Sequence, residues 1–174
     1  MQLQRMGSFK KVGIGLGTLL MASAISLTGA SAAGNLVPVM TSNTSPAGTA
    51  SASSEWAFHE AYKAFDHDYS TYYSTSSGSS GYLQYSFGTS KKVRSYRLTT
   101  SSQPQANVPK TWTLQGSSNG SSWVVLSSQS GLYYPGSSYY FNLSSTGDYT
   151  SYRLVITANN GAYSTSVGEL ELYE

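Results

Sequence analysis

The 174-residue sequence predicts an all-β sandwich or barrel. Three observations carry that reading. Apolar and polar residues alternate in short bursts, turn-forming residues separate the bursts, and hardly any stretch repeats with a helical period. Alternation with period two places successive side chains on opposite faces of a strand. Many short strands joined by Gly, Pro and Asn turns bury their apolar faces between two sheets or inside one closed sheet.

In chain order, residues 34–54, rich in Ser, Thr, Ala and Gly, read as a first strand with a loose loop. Residues 55–65 are the one stretch compatible with a helix, reduced to a single turn over 61–65. The strand bursts follow. They are Tyr82-Leu83-Gln84-Tyr85-Ser86-Phe87, then residues 93–100 with Val93, Tyr96 and Leu98 turned inward, then Trp112-Thr113-Leu114 running into Gln115-Gly116-Ser117. Trp123-Val124-Val125-Leu126, Tyr139-Tyr140-Phe141-Asn142-Leu143 and Tyr152-Arg153-Leu154-Val155-Ile156 come next. Residues 167–173 close the series with Val167, Leu170 and Leu172 as the apolar members. Asn119-Gly120 signals a hairpin, because both residues tolerate the positive φ that a tight turn needs. Gly131, Pro135-Gly136, Gly147-Asp148 and Asn160-Gly161 mark further loops. Trp112 and Trp123 read as core or hairpin packing, and Tyr82, Tyr85, Tyr96 and Tyr152 as strand residues. Neither an internal repeat nor a linker to a second domain is visible.

Composition narrows the function. Arg5, Lys10 and Lys11, an apolar run over residues 12–27 and Ala30-Ser31-Ala32 have the layout of a secretory signal peptide. Residues 1–33 are therefore expected to be a leader cut after Ala32 or Ala33, and residues 34–174 a secreted, extracellular domain of bacterial style. Setting the three leader cations aside leaves seven basic residues against eight acidic ones. A nearly neutral domain carries no electrostatic footprint for nucleic acid. There is no cysteine, which excludes disulfides and thiolate zinc sites. With 15 tyrosines and only 10% charged residues, the chain has the apolar anchors that disordered segments lack.

Lys63-Ala64-Phe65-Asp66-His67-Asp68-Tyr69-Ser70-Thr71-Tyr72-Tyr73 resembles the A-hydrophobic-D-G-D-x-x-T-x-W signature of discoidin domains, also called coagulation factor V/VIII type C domains, a family that includes bacterial galactose-binding-like carbohydrate-binding modules. His67 stands where the family has Gly, and Tyr73 where it has Trp. Tyr82-Leu83-Gln84-Tyr85-Ser86-Phe87 is similar to W-L-x-V-D-L, and the stretch from Trp112 through Asn119-Gly120 to Trp123 to the x-x-V-x-x-S-x-D-G-x-x-W hairpin. Tyr152-Arg153-Leu154 is similar to Y-V/F-R-L/I, and Val167-Gly168-Glu169-Leu170-Glu171-Leu172 to the closing I-A-E-L-E-V strand. The resemblance spans nearly all of residues 35–174. It implies a jelly-roll β-sandwich of about eight antiparallel strands, with a binding surface made by loops at one end.

Two sites follow as expectations. Asp66 and Asp68 flank one residue in a tight loop, with Thr71 close behind. Calcium takes roughly six to eight oxygens, mixing carboxylates, hydroxyls and backbone carbonyls. The loop alone supplies too few, and the resemblance points to Glu169 as the distant carboxylate. The implied set is the side chains of Asp66, Thr71 and Glu169 with the carbonyls of Lys63 and Asp68, holding a structural Ca2+. The second site is for a sugar, which needs an aromatic face for stacking and a few amides or an imidazole for its hydroxyls. The loops offer Trp56, Phe58, Tyr72, Gln103 and Asn159, and the expected ligand contacts are His59, Tyr73, Gln105, Asn107, Asn160 and Tyr163. Galactose-binding members carry an Arg before the hairpin strand. Residues 105–110 contain none, so Gln105, Asn107 or Lys110 would take its role.

The expected partner is a glycan or cell-surface polysaccharide. The alternative is a protein or cell-surface adhesion module, since the family does both. Membrane lipid is disfavoured: Leu132-Tyr133-Tyr134-Pro135 is apolar enough for a membrane spike but has no basic ring. Single modules bind weakly, which leaves a role for an oligomer or a partner in raising avidity. Catalysis is not expected. No G-x-S-x-G, H-E-x-x-H or phosphate loop occurs. Asp66 and Asp68 sit on one loop rather than across a cleft, as a glycosidase pair must.

Overall fold

The structure is a computed structural model that describes residues 34–174; the expected leader, residues 1–33, lies outside them. Nine strands form among the described residues: β1 (Thr49–Ala52), β2 (Tyr73–Ser74), β3 (Gly81–Lys92), β4 (Ser95–Thr100), β5 (Pro109–Ser117), β6 (Val124–Ser130), β7 (Ser138–Asn142), β8 (Asp148–Asn159) and β9 (Ser166–Tyr173). Two 3₁₀ turns, η1 (Ala61–Ala64) and η2 (Gln105–Asn107), complete the elements. The single turn expected near residue 61 is η1. The strand beyond the expected eight is β2, a two-residue pairing with β9.

The strands make two antiparallel sheets, of order β1-β3-β8-β5-β6 and β2-β9-β4-β7. Alternation along the strands decides which side chains meet between them. In the larger sheet Leu83, Leu154 and Leu114 stand in register on β3, β8 and β5, each 0% exposed. In the smaller sheet Tyr96 and Leu98 on β4 face inward beside Leu170 and Leu172 on β9. Trp112 is core: its indole N–H donates to the Tyr96 hydroxyl at 3.1 Å, which satisfies both buried polar groups. Trp123 lies outside, with the Arg153 guanidinium 3.9 Å above its ring, tying the β5–β6 hairpin to β8.

The turns on either side of β2, between β4 and β5, between β6 and β7 and between β8 and β9 gather at one end of the sandwich. The Asn160 and Ala162 amides both donate to the Ala106 carbonyl, at 3.2 and 3.1 Å, and Asn107 Nδ2 donates to the Ser164 carbonyl at 3.0 Å. The core is what holds these loops in place. Truncating its central leucine, Leu154→Ala, is expected to cost about 2–5 kcal/mol through lost burial and a residual cavity, measured as a shift of the urea midpoint at unchanged m-value.

Candidate functional site

At the loop end a polar cleft of about 390 Å³ is lined by Trp56, Ala57, His59, Tyr72, Ser74, Gln103, Asn107, Ser164 and Ser166. One wall is a tight turn over residues 56–59. The His59 amide donates to the Trp56 carbonyl at 3.0 Å, and Phe58 sits in the left-handed region at φ 69°. Glycine is the usual residue there, and a phenylalanine is held at a cost of about 1–3 kcal/mol. Glu60 supports the turn by accepting the Phe58 N–H at 3.1 Å. The result is an aromatic tip: Phe58 is 84% exposed and Trp56 47%.

His59 is oriented by Tyr72 twice over. The rings stack at 4.1 Å and 16°, and His59 Nδ1 lies 3.3 Å from the Tyr72 carbonyl. A carbonyl only accepts, so Nδ1 carries a proton, and in the neutral ring Nε2 keeps a lone pair for a hydroxyl. Opposite, Asn107 gives its amide N–H to the Ser164 carbonyl and hydroxyl at 3.0 and 3.1 Å. Among the described residues its Oδ1 accepts nothing.

Of the six expected ligand contacts, His59 and Asn107 line this cleft. Tyr163, 69% exposed, precedes the cleft-lining Ser164 in the chain but is not itself part of the lining. Asn160 and Gln105 belong to the same loop end but spend their amides on neighbouring backbone, on the Val108 carbonyl at 2.9 Å and the Tyr133 carbonyl at 2.6 Å. Tyr73 is a correction. It is 0% exposed, donates its hydroxyl to the Ser54 carbonyl at 3.0 Å, and its phenol pKa is pushed up by burial. It fills the inner aromatic position at the end of the signature, while its neighbour Tyr72 reaches the cleft. Asn159 is scaffold, its amide donating to Ala162, Ser164 and Thr165 inside the loop.

Four of the five expected metal ligands meet around the Thr71 hydroxyl. Thr71 Oγ1 lies 2.8 and 3.0 Å from the Asp66 carboxylate oxygens, 3.2 Å from the Asp68 carbonyl and 3.4 Å from the Lys63 carbonyl. The Asp68 carboxylate turns away to accept from the Ser70 amide and hydroxyl, which lowers its pKa. Glu169 closes the cluster from β9. It is 0% exposed, and neither carboxylate oxygen has a hydrogen-bond partner. Burial and then the Asp66 carboxylate push its pKa up to about 9; the His67 amide favours the charged form only slightly and falls short of hydrogen-bond geometry.

A buried carboxylate without donors, beside a second carboxylate, is a costly arrangement. It fits a hard cation, which takes such oxygens. Only two acids contribute, and among the described residues no group of three or more His, Cys, Asp or Glu side chains gathers; the donor set is mixed rather than highly charged. His67 keeps the turn that glycine would make, at φ 57°. Its Nε2 accepts from Asn35 Nδ2 at 2.7 Å, the Asn35 amide being oriented by two backbone N–H groups, of Val37 and Leu172, on its Oδ1. Arg97 adds a further tie, donating to the Glu171 carboxylate and to the hydroxyl of Tyr69 in the same loop.

The F5/8 type C domain family matches residues 47–170. The chain belongs to that family. Solved structures with the same fold include a family 32 carbohydrate-binding module of Clostridium perfringens NanJ in complex with galactose, at 21% identity and a TM-score of 0.65 over 73% of this chain and 93% of that one. A second Clostridium perfringens module, in complex with GalNAc-β-1,3-galactose, matches at 18% identity and TM-score 0.65 over 73% and 95%. Chitosan-binding module 1 from a Paenibacillus chitosanase/glucanase matches at 23% identity and TM-score 0.66 over 80% and 98%. These likenesses establish the carbohydrate-binding-module fold. No curated protein matches the chain.

The raised pKa of Glu169 has a stability consequence in the cation-free protein. The fold binds this proton more tightly than the unfolded chain, whose carboxylate titrates near 4.5. The stabilisation is complete below that pH and is lost as pH rises toward about 9. Chelator-treated protein should therefore melt progressively lower across that window, and Glu169→Gln should flatten the profile.

Proposed function

We propose that this F5/8 type C domain is a secreted, non-catalytic carbohydrate-binding module that takes a neutral sugar in the cleft between the 56–59 turn and η2. One observation carries the reading. An imidazole with a free lone pair, an amide with a free oxygen and an exposed indole all border one polar cleft. Those are the groups that accept a sugar's hydroxyls and stack on its C–H face. The lining contains no Asp, Glu, Lys or Arg. It therefore offers no permanent charge to pair with a uronate or an amino sugar, and no opposed acid pair for glycoside hydrolysis.

A glycan array of residues 34–174 tests this. Neutral glycans should be retained, and His59→Ala should weaken binding by about 1–3 kcal/mol through loss of a desolvated hydrogen bond, with melting unchanged. An array without signal, beside tight capture of a cell-surface protein, would support the adhesion reading instead.

The 63–71 loop is assigned a structural calcium ion in the same proposal. The support is its donor set and the buried, partnerless Glu169 carboxylate. Asp66, Thr71 and Glu169 would bind through side chains, Lys63 and Asp68 through carbonyls. The ion would supply the charge that compensates two facing acids and would take no part in chemistry. Calcium at a hundred times its dissociation constant should raise stability by about 2.7 kcal/mol, read as a higher melting temperature that chelator reverses. Indifference of Glu169→Gln to calcium, with a full response in the parent, is the accompanying expectation; equal melting of the parent with and without calcium would remove the assignment.

A further inference from the structure

The loop between β6 and β7, residues 131–137, lies beyond η2 from the cleft and has no role in the site described so far. It is firmly held. Gln105 Nε2 donates to the Tyr133 carbonyl at 2.6 Å, the Thr100 hydroxyl to the Tyr134 carbonyl at 2.6 Å, and the Tyr134 amide to the Tyr139 hydroxyl at 2.9 Å. The Gly136 amide donates to the Ser101 carbonyl at 3.0 Å. The Tyr133 ring is inserted against Trp112 and Tyr139, with centroids 4.7 and 4.8 Å away. This anchoring leaves Leu132 61% and Tyr134 60% exposed. Two large apolar side chains kept in water by a fixed backbone form a preorganised contact surface.

That surface shares an element with the cleft. Gln105, which fixes Tyr133, belongs to η2 together with Asn107, whose side chain borders the cleft; Gln103, just before η2, borders it too. We propose that the sugar-binding surface continues from the cleft across η2 to a second subsite on Leu132 and Tyr134, so that the ligand is a glycan chain rather than a single terminal sugar. The inference rests on the cleft being the primary sugar site. The cleft takes one residue of the chain through His59 and Asn107, and Tyr134 offers a ring face to a residue further along it. A binding surface with an aromatic beyond its first subsite gains affinity with added units until that ring is covered.

The test is isothermal titration of residues 34–174 with linear ladders of galactose, glucose, mannose and N-acetylglucosamine, from monosaccharide to pentasaccharide. The variants are Tyr134→Ala and His59→Ala, and anionic phosphatidylserine vesicles run as a parallel probe. In the ladder that binds, affinity should rise with length by about ten-fold, the worth of one good aromatic stack. Tyr134→Ala should abolish the rise, whereas His59→Ala should lower affinity at every length. Equal affinity for all lengths in the parent, or a loss in Tyr134→Ala that is the same for monosaccharide and pentasaccharide, would overturn the second subsite alone. Loss of vesicle binding in Tyr134→Ala with the ladder unchanged would overturn it too, making the shelf a membrane contact. No binding of any ladder would overturn the sugar reading of the cleft and this extension with it.

Discussion

Glu169 sits at the centre of β9 with its carboxylate sealed from water, and residues 61–72 fold over it. That covering segment has no core of its own. Ala61, Ala64 and Phe65 are buried against the sheets, and the Thr71 hydroxyl gathers the Asp66 carboxylate with the Lys63 and Asp68 carbonyls. Arg97, bonded to both Glu171 and Tyr69, ties the loop to the sheet from the flank. Asn35 links His67 to Leu172 from the other side. The segment is thus held by polar ties around a buried charge. Polar ties of this kind are specific in geometry and costly when incomplete.

The cleft inherits its shape from that arrangement. Thr71 is the last oxygen donor of the loop, and the next residue, Tyr72, stacks on His59 and fixes its tautomer. Tyr73 and Ser74 then pair with β9, and the Ser74 carbonyl accepts from Trp56. A displacement of the 63–71 loop therefore reaches the imidazole within one residue, and the aromatic tip soon after. The opposite wall depends on β8 and η2 through Asn159 and Ala106. One wall thus rests on the loop that packs around Glu169, the other on plain sheet geometry.

The scaffold was legible in the sequence because burial writes itself as alternation. Tyr96, Leu98, Leu114 and Leu154 all face inward as their strands' period requires. β2 was not, since two residues have no period. The acids of the 66–71 loop were legible because their spacing is local, whereas Glu169 needed the family resemblance to be placed beside them. The ligand residues divide along the same line. An amide in a loop looks the same in sequence whether it faces a ligand or a neighbour's carbonyl. Asn160 and Gln105 turn out to serve Val108 and Tyr133, contacts between loops that no local pattern encodes. Tyr73 reads as a loop residue after the helical turn, yet it pairs with Val167 on a distant strand and is buried. Phe58 gives no sign of a left-handed backbone, because phenylalanine is not a turn residue.

That strained phenylalanine shows how the molecule divides its constraints. A glycine at position 58 would relieve the backbone, so the fold gains nothing from the ring. The 56–59 turn is closed by its own hydrogen bond, supported by Glu60 and positioned by Ser74. These contacts over-determine a conformation that the side chain disfavours, as functional sites do when a group has to be presented in one place. The 131–137 loop follows the same logic by other means, with hydrogen bonds to Thr100, Ser101, Gln105 and Tyr139 and an inserted Tyr133 ring holding Leu132 and Tyr134 outward. Weak contacts with a ligand cannot also meet the entropic cost of ordering flexible loops. A surface that already holds its rings outward removes that cost before the ligand arrives, and the cost falls instead on the folding of the sandwich.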